Sequence, residues 1–153
     1  MAHLNAAVDG IAAVCHITGI SSVYETAPVG GPDQGPFLNA VVVVDTARTP
    51  WGLLREMLII ERARGRARHT RWGPRTLDLD LLVWDRATID ERGLSVPHPR
   101  LQHRRFVIEP LLEVWPDVCL PDGSAVCAVS DEVDRQGIAR IAERIERADA
   151  VGT

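Results

Sequence analysis

The chain contains 153 residues, a size at which a single domain can bury enough surface to form an independent core. Its hydrophobic fraction of 46% and charged fraction of 25% are typical of a globular protein, and no apolar run reaches the roughly 20 residues that would cross a bilayer. The formal net charge of -4 argues against a general nucleic-acid binder, so we expect a soluble single domain over residues 1–153 with no membrane or nucleic-acid partner.

The first half of the chain predicts an alternation of helices and strands. Apolar residues spaced at i, i+3, i+4 and i+7 indicate an amphipathic helix at about Leu4–Val14. The period then changes to two, which predicts strands at Ile17–Tyr24 and Phe37–Val44, separated by a loop rich in proline and glycine over residues 27–36. A second helix is expected at Pro50–Arg64, because proline is favoured in the first turn of a helix.

The second half continues the mixed pattern. Leu77–Trp84 alternates apolar and polar residues and is predicted to be a strand. The prolines of Val96–Pro99 exclude regular structure there, and Phe106–Val114 is predicted to form a helix that ends before Pro116. The last predicted element is a strongly charged helix at Asp131–Ala148. The fold class is therefore mixed α and β.

Two residue types restrict the chemistry. All 17 cationic residues are arginine, and a chain without lysine can use neither a Walker-type phosphate loop nor Schiff-base chemistry. The three cysteines have no close partner in sequence, which argues against disulfides or a zinc site and favours a reducing cytoplasm.

Arginines are concentrated in one segment that runs from the end of the second predicted helix to the strand predicted after it. Its cationic residues and histidine are Arg62, Arg64, Arg66, Arg68, His69, Arg71 and Arg75. Composition alone is compatible with a solvated basic loop and with a phosphate-binding loop, in which guanidinium groups hold phosphate oxygens through paired hydrogen bonds.

Two carboxylates follow this segment at alternate positions of the predicted strand. Asp78 and Asp80 would project from one face while the intervening leucines enter the core on the other. A solvent-facing polar strip on an edge strand is one interpretation. A magnesium pair is the other, because hard divalent cations bind carboxylate and phosphate oxygens, and the neighbouring arginines favour it by predicting a bound polyphosphate.

Residues 71–82 (RWGPRTLDLDLL) resemble the most specific motif of the 6-hydroxymethyl-7,8-dihydropterin pyrophosphokinases, enzymes of folate biosynthesis that move a diphosphate from ATP to a pterin alcohol. Three further blocks are similar to the family in the same order: 22–28 (SVYETAP), 37–40 (FLNA) and 94–100 (LSVPHPR). The resemblance extends over about residues 4–122. It implies a ferredoxin-like α/β (α+β) sandwich with a mainly antiparallel sheet.

The resemblance also implies how ATP, the co-substrate, is bound. Asp78 and Asp80 match positions that hold two Mg²⁺ ions between the phosphates. The positions matching ATP contacts are Arg68, Arg71, Arg75, Ser95, His98 and Arg104. Catalytic roles fall to Arg66, Arg68 and Arg75, the first two on a mobile loop whose closure would exclude water.

The pterin site follows from the same resemblance. The flat ring would lie between two aromatic rings and be oriented by an amide and nearby backbone. The matching positions are Thr26, Pro28, Val29, Phe37, Asn39, Trp72 and Phe106. Some of these residues also have a structural interpretation. The two phenylalanines are compatible with core packing and Asn39 with a loop cap. His98, from the ATP contacts, is compatible with an exposed turn.

Glu61 matches an acidic family position near the nucleotide, but a helix salt bridge with Arg62 or Arg64 explains it equally well. We expect Trp51 to be structural.

One departure from the family concerns the start of the chain. The family's first strand lies in the middle of its sheet and leads into a Gly-Ser-Asn turn, and the present chain begins beyond both. We expect the natural protein to be about sixteen or more residues longer, because loss of a central strand would leave its neighbours with unpaired backbone.

Two alternatives to an active monomeric kinase of small molecules stay open. One is a noncatalytic module that binds a nucleotide or RNA through the arginine loop, with steep salt dependence and no need for magnesium. The other is an inactive truncated remnant.

Overall fold

The computed structural model describes residues 1–27, 35–65, 77–127 and 137–147. Three α-helices lie in these ranges: α1 (Ala2–Ala12), α2 (Pro50–Ala63) and α3 (Arg105–Val114). A single 3-10 turn at Leu101–His103 precedes α3. All three predicted helices of residues 1–127 are confirmed. None of the helices in the described ranges is long and apolar enough to span a membrane.

Helix α2 shows how local sequence sets its start and its packing. Thr49 is the N-cap, and its hydroxyl accepts a hydrogen bond from the backbone N–H of Gly52 at 3.1 Å, while Pro50 occupies the first turn. Helix α1 packs closely on α2, since a Cβ at Gly10 would lie only 2.9 Å from Cγ1 of Ile60. Only glycine fits this crossing without displacing Ile60.

Within the described ranges, seven short strands form three antiparallel sheets. They are β1 (His16–Ile20), β2 (Tyr24–Thr26), β3 (Phe37–Asn39), β4 (Val42–Asp45), β5 (Ile89–Glu91), β6 (Leu94–Val96) and β7 (Ile138–Arg140). The sheet orders are β1-β4, β3-β2-β7 and β5-β6. Helices packed with antiparallel sheets confirm the expected fold class.

Each of the first two predicted strands is broken into two. The chain leaves the β1-β4 sheet after Ile20 and enters the second sheet at Tyr24. Buried Ser21 lies at this transition, where its N–H donates to the carbonyl of Val41 and its hydroxyl accepts from the N–H of Val41, each at 2.9 Å. The Ser21 hydroxyl thus links the point where the chain passes from β1 to β2 with the point where it passes from β3 to β4.

The strand predicted at Leu77–Trp84 is wrong: no strand is assigned there. Two of its backbone groups are engaged individually instead, because the N–H of Leu79 donates to a side chain of α2 and the carbonyl of Leu82 accepts from the N–H of His98. The alternation of apolar and polar residues in this segment indicated which side chains face the core, but it did not indicate whether a partner strand lies beside them.

The final predicted helix is also wrong where the structure describes it. Residues 138–140 form β7 and pair with β2, while residues 141–147 are irregular. The isoleucines in this stretch repeat at helical spacing, but antiparallel pairing with β2 satisfies the backbone. Residues 131–136 and 148 of the prediction lie outside the described residues.

The main core gathers around α3. Its buried residues are Val41, Leu101, Ile108, Leu111, Val118, Leu120 and Val126, with Leu82 and Val83 packed against it. Leu77 is buried as well. The packing of Leu82 and Val83 holds the segment that carries Asp78 and Asp80 against the core around α3.

Candidate active site

Three predicted pterin contacts lie together on the paired strands β2 and β3. Thr26 pairs with Phe37 across the strands, and Nδ2 of Asn39 donates to Oγ1 of buried Thr26 at 3.1 Å. This hydrogen bond fixes the plane of the Asn39 amide. Phe37 is 44% exposed, far more than a core aromatic. The arrangement offers an oriented amide beside an accessible ring.

Asp78 and Asp80 are both exposed, and Leu79 lies between them in the chain. Because residues 77–84 form no strand, their alternate positions do not by themselves place the two carboxylates on one face, and the metal-binding role stays a prediction. The backbone between them is fixed from α2. Glu61 is only 1% exposed, and its Oε1 accepts the N–H of Leu79 at 2.8 Å.

Two predicted ATP contacts converge on Asp80. Nε2 of His98 lies 3.9 Å from Oδ2 of Asp80, and Nη1 of Arg104 lies 4.0 Å from the same oxygen. The guanidinium carbon of Arg104 is 5.6 Å from the ring centroid of Phe106, within the range of a cation–π interaction. One predicted metal ligand, two predicted phosphate contacts and one predicted pterin contact therefore lie in one cluster.

The tautomer of His98 follows from a backbone contact. The N–H of Arg100 donates to Nδ1 of His98 at 3.1 Å, so in the neutral ring the proton is on Nε2. This is the atom that faces Asp80, and it can donate to an anionic oxygen placed between the two side chains.

The predicted ATP contact Ser95 lies on β6, and its hydroxyl donates to Oδ1 of Asp90 at 3.4 Å within the β5-β6 hairpin. No described contact brings Ser95 to Asp80. Seven predicted site residues lie outside the described residues: Pro28, Val29, Arg66, Arg68, Arg71, Trp72 and Arg75.

The donor set fits magnesium better than a softer metal. Within the described ranges, no three His, Cys, Asp or Glu side chains converge as a protein-only metal cage. Asp78 and Asp80 are exposed carboxylates at alternate positions, and nitrogen donors of His98 and Arg104 lie about 4 Å from Asp80. This set suits Mg²⁺, which is bound through one or two carboxylates together with waters and phosphate oxygens.

A second polar cluster, around Glu113, was not found by sequence reasoning. Oε1 of Glu113 accepts from the hydroxyl and the N–H of Ser22 at 2.7 and 3.0 Å, and Oε2 accepts from the hydroxyl of Tyr24 at 3.0 Å. Nη2 of Arg140 lies 3.6 Å from Oε1. The network ties α3 to β2 and β7.

The Glu113 network shifts two pKa values. Burial acts to raise the pKa of Glu113, but hydrogen bonds from Ser22 and Tyr24 and the charge of Arg140 outweigh it, so the pKa lies below its ordinary value. The pKa of Tyr24 is raised, first by burial and then by its hydrogen bond to Glu113. Tyr24 lies in the block 22–28, which was the one sequence signal for this cluster.

Comparison with known proteins gives a consistent result. The family profile described as 7,8-dihydro-6-hydroxymethylpterin-pyrophosphokinase matches residues 1–116. The chain is 44% identical over 122 residues to a Bacillus subtilis protein, covering 80% of this chain and 70% of that one. It is 41% identical over 142 residues to a Methylorubrum extorquens protein (92% and 89% covered) and 40% identical over 125 residues to a Pseudomonas aeruginosa protein (82% and 77% covered). All three relatives are named 2-amino-4-hydroxy-6-hydroxymethyldihydropteridine pyrophosphokinase.

Proposed function

The chain belongs to the 7,8-dihydro-6-hydroxymethylpterin-pyrophosphokinase family, and we propose that it transfers a diphosphate from ATP to 6-hydroxymethyl-7,8-dihydropterin in folate biosynthesis. The hydroxymethyl oxygen attacks the β-phosphorus of ATP, the bond from that phosphorus to the AMP oxygen breaks, and the hydroxyl proton is released. The products are AMP and the pterin diphosphate.

The observation that carries this proposal is the convergence of His98 and Arg104 on Asp80 beside Phe106. Arg104 supplies guanidinium donors suited to phosphate oxygens, and His98 supplies a donor at Nε2 whose tautomer is fixed by Arg100. Phosphoryl transfers depend on alignment and charge stabilisation more than on a strong base, and these two side chains can provide both.

The pterin is proposed to bind across Phe37, Asn39 and Phe106. Stacking on aromatic rings supplies affinity with little orientation, so the orientation comes from the Asn39 amide. Its hydrogen bond to Thr26 holds that amide before the ligand arrives, which reduces the conformational freedom lost on binding.

We propose that Asp78 and Asp80 would hold two Mg²⁺ ions with ATP, and their exposure on either side of Leu79 supports this assignment. When bound, magnesium would neutralise charge on the phosphate oxygens.

The remaining assignments rest on family membership. Among residues outside the described ranges, Arg66, Arg68, Arg71 and Arg75 are proposed to hold the triphosphate, and Trp72, Pro28 and Val29 to border the pterin. We also propose that Ser95 contacts ATP and that the enzyme acts as a monomer in the cytoplasm.

The test is AMP release from ATP in the presence of Mg²⁺, with 6-hydroxymethyl-7,8-dihydropterin added or withheld. AMP formed only with the pterin is the expected result. Release of ADP would show ordinary phosphoryl transfer instead, and nucleotide binding without any product would favour a noncatalytic module.

Neighbouring arginines give a matched control. Arg104→Ala is expected to raise the KM for ATP, while Arg105→Ala is expected to leave it close to wild type, because Arg105 pairs with Glu109 within α3. Equal effects of the two substitutions would contradict the assignment of Arg104.

A further inference from the structure

Glu61 is a buried carboxylate in the last turn of α2, with only 1% of its surface exposed. Burial of a carboxylate is costly unless hydrogen bonds compensate it. One compensating contact comes from outside the helix, because Oε1 accepts the N–H of Leu79 at 2.8 Å. The contact joins residues that are 18 positions apart in sequence.

The position of Leu79 gives this contact its significance. Leu79 separates Asp78 from Asp80, so its amide belongs to the backbone that sets the direction of both carboxylates. No strand is assigned to residues 77–84, and a ladder therefore does not fix that direction. Glu61 acts at the centre of this segment as a ladder hydrogen bond would.

The flanking residues leave little other freedom. On one side, Leu77 is 6% exposed. On the other, the carbonyl of Leu82 accepts from the N–H of His98 at 2.8 Å, and Leu82 packs on the core. The segment is anchored at both ends, and the Glu61 contact fixes the part that carries the proposed metal ligands.

We propose that Glu61 is a positioning residue for divalent-cation binding at Asp78 and Asp80, acting through its hydrogen bond to Leu79. This inference rests on the proposed function, since it refines the metal site of that reaction. Removal of a group that orients a metal ligand without contacting the metal commonly lowers metal affinity by about 10- to 100-fold.

Two substitutions separate the hydrogen bond from the charge of Glu61. Glu61→Gln keeps a carbonyl acceptor at the same reach and removes the charge, whereas Glu61→Asp keeps the charge and withdraws the acceptor. The matched control is Glu56→Gln on the same helix, where Glu56 pairs with Arg48 at 3.1 Å and not with the segment that carries Asp78 and Asp80.

The main measurement is Mn²⁺ affinity by electron paramagnetic resonance, with a nonhydrolysable ATP analogue present. The Mg²⁺ midpoint for AMP release and the urea unfolding curve of each variant are recorded beside it. We expect Glu61→Asp to weaken Mn²⁺ binding and to raise the Mg²⁺ midpoint by ~10-fold, with the KM for the pterin little changed. Glu61→Gln and Glu56→Gln should stay near wild type in both.

The outcomes distinguish this inference from the proposed function. If Glu61→Asp binds Mn²⁺ as wild type does, or if Glu61→Gln loses affinity as much as Glu61→Asp, positioning through Leu79 is wrong. If Glu61→Asp does not fold, Glu61→Ala takes its place, and the same loss of Mn²⁺ affinity is expected. A wild-type protein that binds Mn²⁺ but releases no AMP overturns only the proposed reaction, and one that binds no Mn²⁺ overturns both.

Discussion

Asp80 and Glu113 are both carboxylates that face an arginine, and their surroundings differ sharply. Glu113 accepts three hydrogen bonds of 2.7–3.0 Å from Ser22 and Tyr24. The nearest nitrogens of His98 and Arg104 lie 3.9 and 4.0 Å from Oδ2 of Asp80, too far for hydrogen bonds, and 45% of the Asp80 side chain is exposed. The oxygens of Glu113 are hydrogen-bonded within the fold, whereas Asp80 lies near two nitrogen donors without hydrogen bonds to them.

This difference is the one expected between a structural carboxylate and the ligand-binding carboxylate that we propose. A carboxylate with its oxygens already hydrogen-bonded stabilises the elements that supply the donors, here β2 and α3. A carboxylate about 4 Å from its neighbouring nitrogen donors leaves room for a ligand between them. The same residue type thus stabilises the fold in one region and, in the proposed function, binds a ligand in the other.

The largest expected effect comes from Asp80→Asn, which tests the ligand-binding side of the comparison. Loss of a proposed metal ligand should lower kcat for AMP release by at least about 100-fold, or about 2.7 kcal/mol of barrier. The urea midpoint should hardly move, since substitutions at exposed side chains usually change stability by less than about 0.5 kcal/mol. A stable rate with a lowered midpoint would reverse the roles assigned to the two carboxylates.

Glu113→Gln tests the structural side and should have an intermediate effect. Weakening charge-assisted hydrogen bonds at a partly exposed site should lower the free energy of unfolding by about 1–2 kcal/mol at neutral pH. The KM for ATP should stay near wild type. Urea titrations and initial rates on the same preparation check both.

Acidification should remove the difference in the free energy of unfolding between wild type and Glu113→Gln. The lowered pKa of Glu113 means that the unfolded state binds its proton more readily, so the contribution is present above the usual glutamate range and is lost as pH falls through the lowered pKa. Wild type and Glu113→Gln should therefore converge on acidification. A difference that grows toward low pH would contradict the network.

The smallest effect is expected at a third carboxylate, Glu91, whose Oε2 accepts from the indole N–H of Trp51 at 2.7 Å. Because the contact is exposed, Trp51→Phe should cost only about 0.5–1 kcal/mol. Gly93 at the hairpin turn has φ +96 and packs near the Trp51 ring. Amide hydrogen exchange should therefore increase in β5-β6 alone, and equal increases in β2 would show that the hairpin is not a separate unit.

Local sequence signals predicted the three helices, but they failed for segments whose structure depends on contacts with residues distant in sequence. The spacing of apolar residues in α1, the proline at the start of α2 and the proline that follows α3 were sufficient. The pairing of Ile138–Arg140 with β2 was not predictable, because spacing along one segment says nothing about which backbone lies beside it.

The candidate site divides in the same way. Resemblance placed Asp80, His98, Arg104 and Phe106 together, and the structure brings them into one cluster. The contact of Glu61 with Leu79 depends on where α2 ends relative to another segment, so two explanations of Glu61 were equal in the sequence. The Glu113 network gave no signal beyond the block that contains Ser22 and Tyr24.

The central place of β2 in the β3-β2-β7 sheet has a consequence for biosynthesis. Strand β3 follows β2 closely along the chain, but β7 is translated much later. Domains fold on the ribosome only as their contacting segments emerge, and pairings distant in sequence form slowly. The strand that carries Thr26 therefore waits with one edge unpaired for most of synthesis, a period in which a nascent chain is most exposed to aggregation and to chaperones.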